Sequence, residues 1–402
     1  MPRSRRFLAA LFALWACLTL VSWWLYHAAA AGDHTPGVAQ SSAVKLASNV
    51  VQTLCVPGWV IARILTHRTL HGWWTPPLAV GIGWAVIFLP LSLLVRIRAA
   101  LAAAKPQERP IDTARRRLVV NGVFVGGAGA VGLPGAHATL VAPWDLRTTR
   151  YEIPIRNLPP ELEGFKCALL SDTHLGARVP AAFLQRVVAQ TLALRPDVVL
   201  LTGDYVHSEA ELAPAAAAIF APFIEERIPT LAVMGNHDYY AGIRQIRGAF
   251  DAAGVRVVEN SAVFIDADRR LCETAPASGL AITGVEDLEM GDVSFEAALR
   301  GIPADMPRLL LAHEPDTAEL PELRDPPFRV DLMLSGHTHG GQVKLPFIGT
   351  PIVPSAFGSK YAAGLVQGPA CRVLVSRGIG TSIVPVRWGV PPEVVLVTLT
   401  RA

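Results

Sequence analysis

The chain has 402 residues, of which 51% are hydrophobic, so it is long enough for two or more units and too apolar for a purely soluble enzyme. Residues 1–150 carry 15 Lys and Arg against 4 Asp and Glu, whereas residues 151–402 carry 21 against 29. The basic residues lie beside apolar runs and form no patch with interleaved aromatics, which excludes nucleic acid as an expected partner. The composition predicts a basic membrane region, residues 1–145, followed by a mildly acidic domain, residues 151–402.

The N-terminal region contains several apolar segments of about the length needed to cross a bilayer. Residues 7–26 are uncharged, follow three arginines and end in aromatic residues, as is typical of a membrane interface. Residues 76–95 form a second candidate, and the Gly-rich residues 118–142 form a third. Residues 46–65 are apolar but carry polar side chains, so they could span, lie in the interface or re-enter. The region is therefore predicted to be helical, with three or four transmembrane helices.

The arginines of this region predict its orientation. Those near the N-terminus and the cluster from Arg96 to Arg117 both favour the cytoplasmic side, which requires an even number of crossings between them. If residues 46–65 do not cross, the last segment places the C-terminal domain outside the cytoplasm. We expect this arrangement: a multi-pass protein of the inner (cell) membrane with an extracytoplasmic domain. If all four segments cross, the domain is cytoplasmic. The arginines before Leu118 also resemble a twin-arginine export signal.

From Tyr151 onward, short Val, Leu and Ile runs alternate with helical patterns, which predicts an α/β fold. The predicted helices lie at 181–194, 211–226 and 243–253. The predicted strands lie at 166–171, 197–202, 229–234, 255–258, 280–283, 309–312 and 331–334. Most of these strands end in a cluster of Asp, Asn or His residues. Because open α/β sheets collect their ligands beyond the carboxyl ends of the strands, we expect these polar clusters to meet.

Seven side chains in these clusters are typical metal ligands. They are Asp172, His174, Asp204, Asn236, His313, His337 and His339. Asp and Asn oxygens suit harder cations, whereas imidazole suits zinc, iron and manganese. Seven ligands are too many for one tetrahedral ion, so the set predicts two ions that share a bridging carboxylate. Of the six histidines in this domain, only His207 lies outside the strand-end clusters.

The motifs DTH, GD, GNHD, LLLAHEP and GHTH occur in this order and resemble those of the calcineurin-like metallophosphoesterase superfamily. The GHTHGGQ motif and residues 375–394 look like the bacterial membrane-associated branch, which includes phosphodiesterases and a calcineurin-like kind of UDP-2,3-diacylglucosamine pyrophosphatase. The apolar N-terminus is similar to that of transmembrane proteins with a metallophosphoesterase domain. The resemblance implies a four-layer αββα fold, in which two mixed β-sheets are sandwiched between helices.

The resemblance also implies a role for each motif residue. The ligands implied for the first ion are Asp172, His174 and His339. Those implied for the second ion are Asn236, His313 and His337, and Asp204 would bridge the two. The ions would be divalent manganese, zinc or iron, with manganese expected first.

Two further motif residues would act in catalysis rather than bind metal. His237 would hydrogen-bond the phosphoryl or leaving-group oxygen, and Asp238 would orient His237. Two ions about 3.5 to 4 Å apart lower the pKa of a bridging water and stabilise the charge of the transferring phosphoryl group. The resemblance thus implies attack by a hydroxide that bridges the ions.

We therefore expect a membrane-anchored phosphohydrolase that cleaves a phosphodiester or pyrophosphate bond of a phosphorylated small molecule or lipid. A lipid-linked substrate is favoured because the hydrophobic residues 345–357 could enter the membrane interface or hold an acyl chain, although they could instead pack in the core. Two alternatives remain open: a phosphodiesterase or phosphatase for soluble nucleotides or phosphoproteins, and a non-catalytic membrane scaffold. The sequence predicts no oligomeric state.

Overall fold

The computed structural model describes residues 135–324, 328–382 and 384–402. The candidate membrane segments at 7–26, 46–65 and 76–95 lie outside these residues, as does most of 118–142. Among the described residues, no helix is both long and apolar enough to cross a bilayer. The compact unit His137–Ala402 contains the predicted α/β domain.

Two β-sheets form the centre of this unit. Their strands are β1 (Arg147–Ile155), β2 (Lys166–Leu170), β3 (Val198–Thr202), β4 (Thr230–Val233), β5 (Arg256–Val257), β6 (Ser261–Asp266), β7 (Leu271–Cys272), β8 (Gly279–Gly284), β9 (Arg308–Leu311), β10 (Leu332–Ser335), β11 (Gly364–Gln367), β12 (Arg372–Val375) and β13 (Glu393–Arg401). The first sheet has the order β1-β13-β2-β3-β4-β5, and the second has the order β11-β12-β10-β9-β8-β6-β7. Each predicted strand is confirmed to within one residue at either end.

Both sheets are mixed, as the resemblance implied. In the first sheet, β13 pairs parallel with β1 and antiparallel with β2, while β2, β3 and β4 are mutually parallel. In the second sheet, β8, β9, β10 and β12 run parallel, and the outer strands β6 and β11 run antiparallel to their neighbours. The ends of β2, β3, β4, β9 and β10 carry the predicted polar clusters.

Residues 135–140 are helical, and the helices that follow are α1 (Ala181–Ala193), α2 (Ala213–Ile219), α3 (Ala221–Glu225), α4 (Asn236–Ala252), α5 (Phe295–Leu299) and α6 (Pro321–Arg324). Short 3-10 helices lie at Ala142–Trp144, Pro160–Leu162, Ala210–Leu212, Pro315–Glu319, His339–Gly341 and Gly358–Tyr361. The prediction of one helix at 211–226 was wrong. Pro214 and Pro222 lie in the first turns of α2 and α3, where their missing N–H groups are tolerated, and so divide the segment. Helix α4 begins earlier than predicted and contains a kink at Gly242, whose φ is 138°.

Three apolar clusters hold these layers together. Leu169 and Leu200 of the first sheet meet Ile282 and Leu309 of the second in the central cluster. The outer face of the first sheet packs against α1, α2 and α4, and that of the second packs against α5 and neighbouring loops. Because each sheet is covered on both faces, a central strand such as β3 is buried at all five positions. The order helix, sheet, sheet, helix is the four-layer arrangement that the motifs implied.

Candidate metal centre

The predicted ligands lie in tight turns directly after their strands. Five of the seven have a positive φ, between 45° and 66°: Asp172, His174, Asp204, His337 and His339. This left-handed region is uncommon for residues other than glycine, and such residues cluster at functional sites. Backbone hydrogen bonds join the turns, since His174 N–H donates to Asp204 O at 2.9 Å and Gly336 N–H donates to His313 O at 3.0 Å.

Two glycines allow the turns of the two sheets to approach each other. A Cβ atom at Gly336 would overlap the side-chain oxygens of Ser171 and Asp172, and one at Gly235 would lie only 2.8 Å from His313 Cε1. The close approach brings the backbone N–H of His337 to 3.0 and 3.1 Å from the two Asp172 carboxylate oxygens. The second sheet thus donates directly to a carboxylate of the first.

Asp172, His174 and His339 form one compact group. The Nε2 atoms of His174 and His339 are 2.9 Å apart, and His339 Nε2 lies 3.4 Å from Asp172 Oδ1. The three potential ligand atoms lie within 4.8 Å of one another, and all three side chains are buried. The group therefore has the donor types and spacing that a single metal ion needs.

A second group surrounds His313. His313 Nε2 lies 3.3 Å from His337 Nδ1 and 3.4 Å from Asp204 Oδ2, and the same Asp204 oxygen lies 3.4 Å from His174 Nε2. Asp204 therefore stands between the two groups. The side chain of Asn236 is buried, and its Oδ1 has no hydrogen-bond partner among the described residues. The seven predicted ligands thus follow the carboxyl ends of strands β2, β3, β4, β9 and β10, which belong to both sheets.

Burial controls the protonation of most imidazoles. It lowers the pKa values of His174 and His339 well below the usual range and that of His337 to about 4. Burial also lowers the pKa of His313, but the charge of Asp204, its hydrogen bond and the charges of Glu314 and Asp172 together outweigh this effect and raise the pKa well above its usual range. At neutral pH the first three rings are uncharged, which is the form of histidine that binds metals.

The two carboxylates respond differently to the same burial. Burial raises the pKa of Asp172 to about 6, although the charge of His313 opposes this shift. Burial would also raise the pKa of Asp204, but the charge of His313 and its hydrogen bond bring it well below the usual range. Asp204 is therefore ionised and paired with His313.

His237 is the second residue of α4, lies beside these groups and is only partly buried. Its backbone N–H donates to Asp204 Oδ1 at 2.9 Å. Its ring Nδ1 lies 2.6 Å from the carbonyl oxygen of His207, and its Nε2 lies 3.5 Å from Ser382 Oγ. A carbonyl can only accept, so Nδ1 carries a proton and Nε2 is the atom available to a ligand.

Among the described residues, the carboxylate of Asp238 makes no hydrogen bond to the ring of His237, which the resemblance implied that it would orient. Its carboxylate accepts hydrogen bonds from the backbone N–H groups of Asp204 at 2.8 Å, Tyr205 at 2.9 Å and Gly235 at 3.0 Å. Its bond from the backbone N–H of Gly235, the residue that precedes α4, caps the N-terminus of that helix. Asp238 thus fixes the turn that carries Asp204, and the backbone of His207 orients the imidazole.

His207 was not among the predicted site residues, although the structure places its ring at the site. The ring stacks on His237 with centroids 5.1 Å apart, and potential ligand atoms of His174, His207 and His237 lie within 4.8 Å of one another. Its Nδ1 is buried without a hydrogen-bond partner among the described residues. The position of His207, three residues after the GD motif, was the signal that could have identified it.

Arg387 was also missed as an individual residue. Its side chain is fully buried and donates to the carbonyl oxygens of Arg377, Gly378, Gly380 and Val390. Its Nη2 lies 3.5 Å from His339 Nδ1. Burial lowers its pKa to about 9, and the charge of Asp172 opposes this shift. The arginine thus holds the loop behind two predicted ligands.

The chain is similar in sequence to known phosphoesterases. A calcineurin-like phosphoesterase family model matches residues 165–341. The chain is 31% identical over 295 residues to the uncharacterized metallophosphoesterase YkuE of Bacillus subtilis, covering 71% of this chain and 97% of that protein. It is 34% identical over 238 residues to the phosphodiesterase YaeI of Escherichia coli, covering 58% of this chain and 82% of that protein.

A longer relative is a transmembrane protein with a metallophosphoesterase domain from Danio rerio. The chain is 31% identical to it over 263 residues, which cover 62% of this chain and 56% of the fish protein. With YkuE aligned over nearly its whole length, the chain belongs to the calcineurin-like metallophosphoesterase family. It is a hydrolase that acts on phosphoester bonds.

Proposed function

We propose that the chain is a membrane-anchored phosphohydrolase that uses two divalent metal ions to cleave a phosphodiester or pyrophosphate bond. One observation carries the two-ion part of the proposal: Asp204 Oδ2 lies 3.4 Å from Nε2 of both His174 and His313. A carboxylate in this position between two imidazole groups could act as the ligand that bridges the two ions. Asp172 and His339 would complete one site, and Asn236 and His337 the other.

The side chains fit the ions chemically. Asn236 Oδ1 is a buried acceptor without a partner among the described residues, and a cation would satisfy it. The Nδ1 of His313 lies 2.6 Å from the carbonyl oxygen of Thr202, so its Nε2 is directed toward Asp204. Metal-binding histidines commonly donate their other ring N–H to a carbonyl in this way. Mixed oxygen and imidazole donors suit manganese, iron or zinc, of which we propose manganese first.

The ions, when bound, would supply positive charge that activates water and stabilises the transferring phosphoryl group. The chain's own part is to hold and orient the reacting groups. Asp204 is fixed from two directions, because its Oδ1 accepts from the backbone N–H of His237 and its backbone N–H donates to Asp238. The carboxylate is therefore held in place before substrate binds.

His237 is proposed to donate a proton or hydrogen bond to the departing oxygen. Its Nδ1–H is held by the His207 carbonyl, so only Nε2 can reach the substrate, and a protonated ring presents an Nε2–H donor there. The stacked ring of His207 would restrict the rotation of His237. His207 acts as a positioning residue in this proposal.

The proposed substrate is a lipid-linked phosphodiester or pyrophosphate, and the domain is proposed to lie on the extracytoplasmic side of the membrane. The name of YaeI supports diester cleavage, and the names of the Danio rerio and Bos taurus relatives support a membrane location. The apolar segments of residues 1–145 and their flanking arginines support multi-pass anchoring.

Turnover by metal-stripped protein reloaded with Mn²⁺ would test the proposal. Three substrates would be compared: an aryl phosphodiester, an aryl phosphomonoester and UDP-2,3-diacylglucosamine. We expect the aryl phosphodiester and the pyrophosphate bond of UDP-2,3-diacylglucosamine to be cleaved faster than the aryl phosphomonoester. A strong preference for the nucleotide lipid would require a cytoplasmic site and contradict the proposed orientation. No turnover with metals bound would contradict the proposal and support a scaffold.

A further inference from the structure

Two segments of the catalytic domain expose large apolar side chains around one open cavity. The cavity measures about 650 Å³ and is lined by residues of both segments, among them His137, Lys344, Phe347 and Trp388. Leu140 is 70% exposed, Val141 55%, Phe347 fully exposed and Ile348 71%. We call residues 137–142 and 344–349, together with Trp388, the apolar rim. Exposed apolar clusters of this kind mark interaction sites.

The backbone holds the most exposed residue of the rim outward. Leu345 and Gly349 exchange two backbone hydrogen bonds, of 2.8 and 3.0 Å, which close a tight turn around Phe347. Phe347 has a φ of 64°, a conformation that large side chains rarely adopt. Its side chain is fully exposed, so packing within the domain does not compensate for this conformation. The turn therefore presents the aromatic side chain of Phe347 to the surroundings of the domain.

The two segments form one surface because both are attached to residues 387 and 388. Arg387 N–H donates to Ala138 O at 2.9 Å, and Lys344 N–H donates to Trp388 O at 2.7 Å. The rings of His137 and Trp388 lie edge to face with centroids 6.1 Å apart. The tip at Phe347 and the chain near Leu140 are thus parts of one continuous rim.

The position of the rim along the chain indicates what covers it. The apolar, Gly-rich residues that begin at Leu118 lead directly into the described domain, and His137 follows within it. The rim also combines Phe, Ile and Leu side chains with an exposed lysine and a partly exposed tryptophan. Aromatic and basic residues beside apolar ones are typical of the membrane–water interface.

We propose that the apolar rim docks on a phospholipid bilayer, with Phe347 and Ile348 inserted at the boundary between headgroups and acyl chains. Surface-lying apolar faces enter this boundary to a depth of roughly 5–10 Å. Lys344 stays at the level of the headgroup phosphates. The proposal rests on the membrane anchoring proposed above, but not on the metal chemistry.

The rim is connected to the metal centre by a short path. Gln342 follows the proposed ligand His339 by three residues and precedes Lys344. Its side chain accepts from Ser382 N–H at 2.8 Å and donates to Val384 O at 3.2 Å. Ser382 Oγ lies 3.5 Å from His237 Nε2. Docking would therefore hold the site beside the bilayer surface, where lipid-linked phosphates lie.

Fluorescent labelling of the full chain in vesicles tests this docking without use of the enzymatic activity. All five native cysteines would be replaced, and Phe347→Cys, Ile348→Cys and Leu365→Cys would each be labelled with an environment-sensitive NBD group. Leu365 is the matched control, because it is an exposed leucine of β11 outside the rim. Each protein would be reconstituted in phosphatidylcholine and phosphatidylglycerol vesicles with and without brominated acyl chains. A cooperative thermal unfolding transition would show that each protein is folded, and turnover of a soluble aryl phosphodiester would be measured separately.

We expect labels at 347 and 348 to emit at shorter wavelength and to be quenched by brominated lipid, and the label at 365 to do neither. Aqueous, unquenched emission at 347 and 348 would overturn the proposal. A blue shift that depends on protein concentration and not on brominated lipid would also overturn it, by showing that a second copy covers the rim. Loss of Mn²⁺-dependent turnover in every protein would contradict the proposed function and leave the quenching result unaffected.

Discussion

The Nδ1 atom of His237 lies 2.6 Å from the backbone carbonyl oxygen of His207. This contact fixes the tautomer of the ring, since the carbonyl accepts the Nδ1 proton and leaves Nε2 for the substrate. The orienting group is a backbone atom on the turn that follows the GD motif. It does not depend on the carboxylate that comes next in the sequence, Asp238.

Replacing His237 should affect catalysis more than metal binding. We expect His237→Ala to lower kcat by about 10² to 10⁴, the usual contribution of a general acid, and to retain its metal. Turnover of an aryl phosphodiester and metal content by mass spectrometry would be measured together. Leu365→Ala, which truncates an exposed side chain of β11 outside the rim, is the control. If His237→Ala loses metal in proportion to activity, His237 is a ligand instead.

In contrast to His237→Ala, Asp204→Asn should lose both metal and activity. Asp204 lies between both imidazole groups, so loss of its charge removes the proposed shared ligand and weakens both sites. We expect less than stoichiometric metal and nearly complete loss of turnover. Asp268→Asn, which makes the same change at an exposed position, should behave like the unaltered protein. Full occupancy and full activity in Asp204→Asn would exclude the bridging role.

Asp238→Asn separates a structural role from a catalytic one. The amide would present a donor to backbone N–H groups that now donate to the carboxylate, which should destabilise the domain by about 1 to 3 kcal/mol. We expect a lower melting temperature and weaker metal binding. An unchanged melting temperature with a large loss of kcat would show that Asp238 acts on His237 after all.

Asp287 and Glu314 form a buried carboxyl pair near His313, which should make the stability of the domain depend on pH. Burial, a hydrogen bond with Glu314 and the charge of Glu314 raise the pKa of Asp287 to about 8. In the unfolded chain this pKa is about 3.9, so between these values the folded state holds a proton that the unfolded state has released. The contribution of Asp287 to the free energy of unfolding is therefore fully present below the pKa of the unfolded chain. It is lost as the pH rises through the pKa of the folded state, at up to about 1.4 kcal/mol per pH unit.

The melting temperature of the metal-free protein, followed from pH 5 to pH 9, would measure this effect. We expect it to fall as the pH rises toward 8, because the folded state keeps the proton on Asp287 while the unfolded chain has released it, and to level off above pH 8. Asp287→Asn cannot release a proton and should show a flatter profile over the same range. An equal slope in both proteins would mean that other groups cause the decline.

Much of the site follows from local sequence pattern. Asp172, Asp204 and His313 directly follow short apolar runs that read as buried strands, and the carboxyl ends of parallel strands share an edge. Contacts between distant segments could not be predicted in this way. The pairing of β1 with β13 joins the two ends of the domain. The backbone carbonyl oxygens that accept hydrogen bonds from Arg387 come together only after its loop has folded. Backbone partners, such as those of Asp238 and His237, leave no trace in the side-chain pattern.

The most direct test of the two-ion account is a metal titration of the stripped protein. Bound manganese per chain would be measured by mass spectrometry at each step, together with turnover of an aryl phosphodiester. We predict two ions per chain at saturation and little turnover until the second ion binds, because both groups around Asp204 must be filled. Full turnover with one ion per chain, or turnover by the metal-free protein, would contradict the account.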